Sequence, residues 1–215
     1  MIWKRATPDP REAGPSPAGA DGEHARLAAI MGRYCDGQTL AFHELYAALA
    51  PKLLGYLAGL AGDKATAEDL LQQTFMKVHQ CRAAYVRGAN PVPWLYTIAH
   101  RTCLDELRRR KRARVRVSAD GELPEPPVVE AAAAMEPSSE EAALARGMAA
   151  LASLPEPLKQ AVLLTKIHGH SSAEAAAIAG TTAGAMKVRT HRGYQALRRK
   201  LGLGGESASQ VVGAS

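Results

Sequence analysis

Two stretches of the sequence concentrate positive charge in a way that suits binding to phosphate groups. The five residues from Arg108 to Arg112 are all cations. Near the end of the chain, six cations and no acid lie between Ala185 and Lys200. Lys and Arg at this density neutralise nucleic-acid phosphates and release their counterions, which is a large source of affinity. The alternative is a solvated basic face on an ordinary helical bundle, and charge alone does not exclude it.

Enzymatic chemistry finds little support in the residue patterns. The chain contains no GxxxxGK loop followed by Ser or Thr, no GxSxG, no HExxH and no obvious pair of carboxylates. His100 and Cys103 lie one helical turn apart, but two ligands do not make a metal site. The His168-Gly169-His170 sequence likewise lacks a nearby Cys or acid at ligand spacing, and His191 adds none. We therefore predict no catalytic residue, no metal and no cofactor.

Composition favours a helical protein of one or two small domains. Of 215 residues, 47% are hydrophobic but only 5% are aromatic, so Ala and Leu must supply most of the packing. The formal net charge of +6 permits a nucleic acid or an anionic surface as a partner. Three cysteines without CxxC spacing indicate a reducing, cytoplasmic setting. The sequence has neither an apolar run of membrane-spanning length nor a signal peptide, so no direct membrane insertion is expected.

Hydrophobic periodicity predicts a bundle of helices in the first half of the chain. A helix from His24 ends at Asp36-Gly37, and a long amphipathic helix from Gln38 to Ala61 is expected to kink or break at Pro51. Thr66, with an acid three residues later, has the spacing of a capping box and predicts a helix running to Cys81. The Pro- and Gly-rich segment from Arg87 to Pro93 reads as a loop. Trp94 is then expected to start the helix that carries the first basic stretch.

The second half of the chain has the pattern of a helix-turn-helix. One helix is predicted from Ser138 to Leu151, and another follows Pro155 and runs to Ile167. Ser171 or Ser172 then caps a short Ala-rich helix, and a Gly180-Thr181 turn follows it. Thr182 caps the final helix, which ends near Leu201 and carries the second basic stretch. The apolar face of this helix is predicted to consist of Met186, Tyr194, Leu197 and Leu201.

These elements divide the chain into two small all-α domains joined by a flexible acidic linker. We expect a disordered leader at 1–23, a first domain at 24–113, a linker at 114–137, a second domain at 138–201 and a disordered tail at 202–215. The linker assignment depends on composition: from Ala113 to Glu141 the chain has seven acids and four prolines.

Three segments together resemble a known family. AEDLLQQTFMKV (Ala67 to Val78) and PWLYTIAHRTCLDELRRRKR (Pro93 to Arg112) resemble regions 2.2 to 2.4 of extracytoplasmic-function (ECF) sigma factors of bacterial RNA polymerase. The segment from Leu151 to Leu201 resembles region 4 of the same family. The resemblance implies an all-helical, non-enzymatic factor that directs core RNA polymerase to promoters. It also implies promoter DNA as a partner, and an anti-sigma factor as a possible further one.

The resemblance assigns roles to matching positions in three sets. One set would dock on the clamp helices of the large catalytic subunit of polymerase: Asp69, Leu70, Gln72, Gln73 and Phe75. A second would contact the melted −10 element, with Asn90 as the candidate for base-edge hydrogen bonds: Arg87, Asn90, Trp94, Arg101, Arg108 and Arg109. A third would face the −35 element, with Thr182 and Arg189 on phosphates: Thr182, Lys187, Val188, Arg189, His191 and Arg192.

Two positions depart from the family pattern and leave alternatives open. Gln73 stands where the family usually has an acid, and His79 stands where an aromatic residue is frequent. Leu70 and Phe75 could equally be core residues, and Trp94 could be packed. One alternative function is a free-standing helix-turn-helix regulator of transcription that never touches polymerase. The other is a sigma-like decoy that binds polymerase, or an anti-sigma factor, without opening promoters.

Overall fold

A computed structural model describes residues 20–119 and 139–203, which form eight α-helices and no strand. None of these helices is long and apolar enough to cross a membrane. The first four helices form the first module, and the other four form the second module. Their bounds are α1 Ala20–Cys35, α2 Thr39–Ala61, α3 Lys64–Cys81, α4 Pro91–Ala119, α5 Ser139–Ala152, α6 Glu156–Val162, α7 Ser172–Ala179 and α8 Ala183–Lys200.

Helix α2 is the central helix of the first module and runs unbroken through Pro51. The break considered from the sequence is therefore absent. Pro51 removes the hydrogen bond that the carbonyl of Ala47 would accept. Both residues lie on the exposed side of the helix, where water can replace the missing donor. The opposite side buries Leu45, Leu49 and Leu53 against the neighbouring helices.

Two helix starts differ from the sequence prediction, and local hydrogen bonds explain both. Asp63 caps α3, because its carboxylate accepts a 2.7 Å hydrogen bond from the Thr66 amide. The capping-box assignment of Thr66 is therefore wrong: Thr66 lies inside the first turn and is buried. Helix α4 begins at Pro91 rather than at Trp94. Both prolines of the predicted loop occupy the first helical turn. Backbone amides there have no acceptor within the helix, so the missing N–H of proline costs no hydrogen bond.

Helical structure also extends past two of the predicted domain borders. Helix α1 begins at Ala20, inside the segment predicted as a leader. Helix α4 continues to Ala119, beyond the predicted start of the linker at 114. The predicted linker from 120 to 137, the predicted start of the second domain at Ser138, the leader before Ala20 and the tail after Leu203 lie outside the described residues.

The second module contains the predicted helix-turn-helix. Ser171 and Glu174 form a complete capping box on α7. Gly180 adopts a left-handed conformation (φ 64°) in the turn, and the hydroxyl oxygen of Thr182 accepts a hydrogen bond from the Ala185 amide at the start of α8. Before α7 the chain widens into a π-helical turn, Leu163–Ile167, closed by a 2.9 Å bond from the His168 amide to the Leu163 carbonyl.

Helices α6 and α8 approach closely because α8 has a glycine at their crossing. A Cβ atom added to Gly193 would lie 2.7 Å from Cγ2 of Val162 and 3.0 Å from the backbone oxygen of Leu158. Gly193 itself is buried. A side chain at position 193 would therefore push α6 away from α8.

The two modules share one continuous hydrophobic core. Helix α7 packs on α4, and α2 contacts both α5 and the π-helical turn. A Cβ atom at Gly59 of α2 would lie only 2.6 Å from Cδ2 of Leu163. Lys159 is 8% exposed, and its ammonium group donates a 2.9 Å hydrogen bond to the carbonyl of Leu60 in the last turn of α2. Because the last carbonyls of a helix have no partner within the helix, this lysine completes α2 from the other module.

Tyrosines of the first module and histidines from both modules fill the centre of this contact. The Tyr56 hydroxyl shares a 2.7 Å hydrogen bond with Nδ1 of His100, and the Tyr96 hydroxyl shares a 3.0 Å bond with Nδ1 of His168. The ring of His170 stands edge-on to the ring of Tyr96, with centroids 4.4 Å apart. We call these five residues the Tyr–His cluster. Within the described residues, the buried Nε2 atom of each of the three histidines has no hydrogen-bond partner.

Burial keeps the histidines of the Tyr–His cluster neutral. It lowers the pKa of His100 and that of His170 to about 4, and it also lowers the pKa of His168. Glu156 acts against burial at His100, where Arg101 and Arg108 reinforce it. Glu174 acts against burial at His170, where His168 and His24 reinforce it. A proton on any of these rings would create a buried positive charge, and among the described residues no hydrogen-bond acceptor lies at Nε2 to stabilise it.

The close approach at Gly193 predicts a specific loss of stability. We expect Gly193→Ala to lower the free energy of unfolding by about 1–3 kcal/mol through overpacking, although alanine favours helix by about 1 kcal/mol. Gly184→Ala is the matched control, because a Cβ atom there meets nothing within 4 Å. Urea denaturation of the three proteins measures the difference. Equal stability of the two variants would contradict the packing described here.

The neutral histidines predict a stability that depends on pH in the acid range. The unfolded chain takes up protons on these histidines near pH 6.5, whereas the folded protein resists them until about pH 4. The contribution of these histidines to the free energy of unfolding should therefore be complete at about pH 7 and be lost as the pH is lowered from about 6.5 to 4. Urea denaturation across this range tests it. His170→Gln should make the dependence shallower, because it removes one of the three buried histidines, and His43→Gln, which changes an exposed histidine, is the matched control.

Candidate nucleic-acid interfaces

Helix α8 presents its predicted DNA-reading residues to solvent. Lys187, Val188, His191 and Arg192 are exposed, Arg189 is half-buried, and Met186 on the opposite side is buried. The exposed set therefore lies on the side of the helix that faces away from α6 and α7. A helix with an apolar back and a cationic front fits a major groove, with its first turns near base edges. Thr182 is exposed at the N-cap, where its hydroxyl hydrogen can still reach a phosphate.

Two apolar assignments on α8 are wrong, because Tyr194 and Leu201 are both exposed. The sequence placed Tyr194 on the packed face of the helix, but this residue is 47% exposed. The ammonium group of Lys166, in the π-helical turn, lies 5.8 Å from the centre of its ring. Gly193, rather than Tyr194, fills the packed position, because α6 comes too close there for any side chain.

The loop before α4 holds two of the predicted −10 residues in local bonds. The guanidinium group of Arg87 lies 2.6 Å from the carboxylate of Asp36 and holds the pKa of that carboxyl below its usual value. The side-chain oxygen of Asn90 accepts a 3.0 Å hydrogen bond from the Val92 amide and so caps α4. In the described part of the chain the amide nitrogen of Asn90 makes no hydrogen bond, which leaves it to donate to an acceptor on a base edge.

The side chain of Trp94 is partly packed against the core and partly exposed to solvent. Its ring stands edge-on to Tyr85 at 5.6 Å and is half-buried against the core. The Tyr85 hydroxyl in turn donates to the carbonyl of Ala89. The loop is thus fixed at both ends, by this tyrosine and by Asn90. Trp94 lies where the fixed loop meets α4.

The basic stretch on α4 is partly neutralised by its own helix. Glu106 accepts two hydrogen bonds from Arg109, at 2.7 and 2.8 Å, and one from Arg110 at 2.9 Å. These guanidinium groups lower the pKa of Glu106 to about 2. Arg110 also donates to the Thr66 hydroxyl at 2.6 Å, which ties the stretch to α3. Arg108 has a weaker partner in Asp105 at 3.4 Å, and Arg101 is half-buried.

The predicted polymerase-docking residues divide into exposed and buried groups. Asp69, Gln72 and Gln73 are exposed on α3. Leu70 and Phe75 are only 1% and 4% exposed, so they belong to the core of the first module rather than to its surface. The ring of Phe75 lies 4.7 Å from that of Tyr46 and packs beneath the exposed face of α3. His79, at a departure from the family pattern, bonds the Tyr34 hydroxyl at 2.7 Å.

Sequence reasoning missed three residues near these surfaces. Met76 is 62% exposed and follows Gln72 and Gln73 at helical spacing, so it extends the face of α3. Tyr46 of α2 is exposed beside this face. Glu106 is the third, and its spacing of three and four residues from Arg109 and Arg110 is the signal that predicts the pairing. Among the described residues, no group of three or more His, Cys, Asp or Glu could hold a metal ion.

This arrangement is that of a two-module helical protein with a basic helix in each module. Residues 45–113 match the family model for Sigma-70 region 2, and residues 147–197 match that for Sigma-70 region 4. The RNA polymerase sigma factor CarQ of Myxococcus xanthus is 38% identical, over 80% of this chain and 95% of its own length. The ECF RNA polymerase sigma factor SigF of Caulobacter vibrioides is 35% identical, over 82% of this chain and 94% of its own length.

Solved structures have the same fold. The sigma factor RpoE of Bartonella quintana, in complex with the anti-sigma factor NepR, superposes with a TM-score of 0.62 at 26% identity, over 75% of this chain and 97% of that one. CnrH, in complex with the cytosolic domain of CnrY, gives a TM-score of 0.62 at 21% identity. The chain belongs to the ECF sigma factors of bacterial RNA polymerase. Its function is promoter recognition and transcription initiation with core polymerase.

The pairing of Glu106 predicts a gain in DNA affinity when that acid is removed. Glu106→Gln releases Arg109 and Arg110 from their partner, so we expect tighter binding to DNA at low salt. The slope of log K against log salt should become steeper by about 1–2. Glu140→Gln, at an exposed acid of α5, makes the same change in net charge and should alter neither quantity as much. Salt titrations of a fluorescent duplex measure both, and equal slopes for the two variants would contradict the assignment.

Proposed function

We propose that the exposed residues named above carry out the three contacts of a working sigma factor: polymerase docking, capture of the melted −10 element and binding of the −35 duplex. The observation that carries this proposal is the exposure of a cationic helix front in the second module together with a fixed Asn–Trp loop and basic helix in the first. A free-standing regulator would need only the cationic helix of the second module.

Docking on the clamp helices of polymerase would use the face of α3 that Asp69, Gln72, Gln73 and Met76 form. One acid, two amides and an exposed apolar side chain give this face a mixed character. Exposed apolar groups at a surface with polar neighbours are typical of protein interfaces. Leu70 and Phe75 would contribute by holding α3 in place. Glutamine at position 73, in place of the usual acid, removes one charge from this contact.

The −10 element would meet the loop from Arg87 to Asn90 and the start of α4. A flipped base could accept a hydrogen bond from the Asn90 amide while the exposed part of Trp94 offers a stacking surface. Arg101, Arg108 and Arg109 would contact phosphates of the melted strand. Arg109 would have to exchange Glu106 for a phosphate, so its contribution to affinity is smaller than that of an unpaired cation.

The −35 element would lie against the front of α8. Lys187, Val188, His191 and Arg192 would face base edges in the major groove, and Thr182 with Arg189 would contact phosphates. The +6 net charge assists both contacts. Strand opening would draw its free energy from base capture, stacking and phosphate neutralisation, with no enzymatic activity in this chain.

The setting and further partners follow from this role. The protein would act in the cytoplasm, where core polymerase and DNA are found. An anti-sigma factor is a further proposed partner, because the similar sigma factor RpoE was solved in complex with the anti-sigma factor NepR. Such a partner would hold the protein away from polymerase.

Reconstitution with purified core polymerase tests the proposal against its alternatives. The tagged protein should retain core polymerase in a pull-down and produce discrete run-off transcripts from genomic fragments. Polymerase binding without transcripts would instead support the decoy. DNA binding without polymerase binding would support the free-standing regulator.

Substitutions on α8 test the assignment of the −35 contacts. We expect Lys187→Ala or Arg192→Ala to reduce transcription from promoters that depend on the upstream element by about tenfold, since one base contact is worth about 1–3 kcal/mol. Retention of core polymerase should be unchanged. Lys200→Ala, which removes an exposed cation from the far end of the same helix, is the control. Unchanged promoter selectivity of Lys187→Ala and Arg192→Ala in a reporter panel would contradict the assignment.

A further inference from the structure

A second exposed surface adjoins the front of α8, on the side of the π-helical turn. Tyr194 follows His191 by three residues and Lys187 by seven, so these three side chains lie along one stripe of the helix. Tyr194 is 47% exposed, and the ammonium group of Lys166, itself exposed, lies 5.8 Å from the centre of its ring. We call Lys166 and Tyr194 the flank pair. The predicted −35 set includes neither residue.

The backbone around Lys166 is tied to α8, so the flank pair does not depend on a flexible loop. The hydroxyl groups of Thr165 and Thr190 share a 3.1 Å hydrogen bond, and Thr190 lies one turn before Tyr194 on the packed side of α8. The π-helical turn that carries Lys166 is closed by its own backbone hydrogen bond. Lys166 therefore keeps its place beside Tyr194 without relying on the contact between ammonium group and ring.

The flank pair has unused capacity for a negatively charged ligand. In the described part of the chain, Lys166 makes no salt bridge and the Tyr194 hydroxyl makes no hydrogen bond. Helix α8 contains no acid, Glu156 of α6 lies 3.0 Å from Lys159, and Glu174 of α7 is held in its capping box. An aromatic ring attracts an exposed cation by only about 0.5–1 kcal/mol and cancels none of its charge. The ammonium group of Lys166 therefore remains available to an anion.

The dimensions of α8 and of duplex DNA place the flank pair at the edge of the groove that α8 would enter. Lys187 and Tyr194 are about 10 Å apart along the helix axis, at about 1.5 Å per residue. The major groove of B-form DNA is about 12 Å wide and is bordered by the phosphates of the two strands. When the first turns of α8 contact base edges, a side chain two turns later on the same stripe comes to the phosphate border.

We propose that Lys166 and Tyr194 form a phosphate-binding site for the duplex beside the −35 element. The ammonium group would pair with a backbone phosphate, and the Tyr194 hydroxyl would donate a hydrogen bond to a phosphate oxygen. This inference rests on the proposed function, because it requires α8 to lie in the major groove. The site would add affinity and fix the register of α8 on the duplex without changing which bases are read.

A protein partner is the less favoured occupant of this surface. Ile167, which is 57% exposed, adds a single large apolar side chain next to Lys166. Protein interfaces have larger apolar patches, and charged residues are depleted at their centre. A cation with no acid beside it, next to a neutral hydroxyl donor, instead matches the phosphate backbone of DNA.

Neutral phosphates test the contact directly. The full-length chain, bound to core polymerase, is titrated with promoter duplexes from a fragment that the wild-type chain transcribes. Each duplex carries one uncharged methylphosphonate linkage at a different position across the −35 element. Wild-type protein should lose about three- to tenfold in affinity at the contacted linkage. Lys166→Gln should show that loss on the unmodified duplex, and no further loss when the same linkage is neutral.

Salt titrations separate the two members of the flank pair. Lys166→Gln should make the slope of log K against log salt shallower by about 1, because one cation no longer displaces counterions. Tyr194→Phe should weaken binding by about threefold and leave the slope unchanged, because it removes a neutral donor and keeps the ring. Neither variant should change the preference for the −35 element over a scrambled duplex. Lys64→Gln is the matched control, because it removes an exposed lysine of the first module with the same change in net charge.

Two results would overturn the inference and leave the proposed function standing. One is a Lys166→Gln protein that loses as much affinity as the wild type at every neutral linkage. The other is a Lys166→Gln protein that binds DNA normally but no longer retains core polymerase, which would assign this surface to a protein partner. A wild-type chain that binds neither polymerase nor promoter would instead overturn the proposed function itself.

Discussion

The packing of α4 on α7 is the contact on which the rest of the arrangement depends. Helix α4 follows the loop that is proposed to contact the −10 element and carries the first basic stretch, and α7 packs against α8. Tyr96 joins them, because its hydroxyl bonds His168 and its ring meets His170. These imidazoles have buried nitrogen atoms without partners in the described residues, so they tolerate burial only as neutral groups.

Glycine provides the close approach at two different crossings, and the consequences differ. Gly193 lies between α6 and α8 inside the second module, where the backbone of Leu158 limits the space. Gly59 lies between the modules, where the neighbouring atoms belong to the side chain of Leu163. The first crossing fixes the orientation of α8 against α6. The second brings the two modules into close contact, so the same residue type serves packing within a module in one place and packing between modules in the other.

Local patterns predicted the helices and the helix-turn-helix well, because capping, periodicity and turn residues act within a few positions. The cap at Thr182 and the turn at Gly180 are examples. Two sequence assignments failed because a competing residue lay close by: Asp63 caps α3 in place of Thr66, and Gly193 fills the packed position in place of Tyr194. The resemblance identified the family, and the matches to sigma-70 regions 2 and 4 confirm it.

The module contact could not be predicted, because its partners are far apart in the chain. Tyr96 and His168 are separated by 72 positions, and Lys159 and Leu60 by 99. No periodicity links such pairs, and the histidines gave only a weak metal-like signal. The same limit applies to the predicted site residues. Helical spacing indicates which of them share a face of a helix. It does not indicate that Leu70 and Phe75 are buried, because their burial depends on how the whole first module packs.

The two modules are packed together in the free protein through α4 and α7. Single-molecule energy transfer between dyes at the exposed positions Ala113 and Gln195 measures this directly. High transfer efficiency is expected for the free protein, because α4 and α8 both pack on α7. Low transfer efficiency in the free protein would mean that the two modules lie apart, and it would contradict the packing described above.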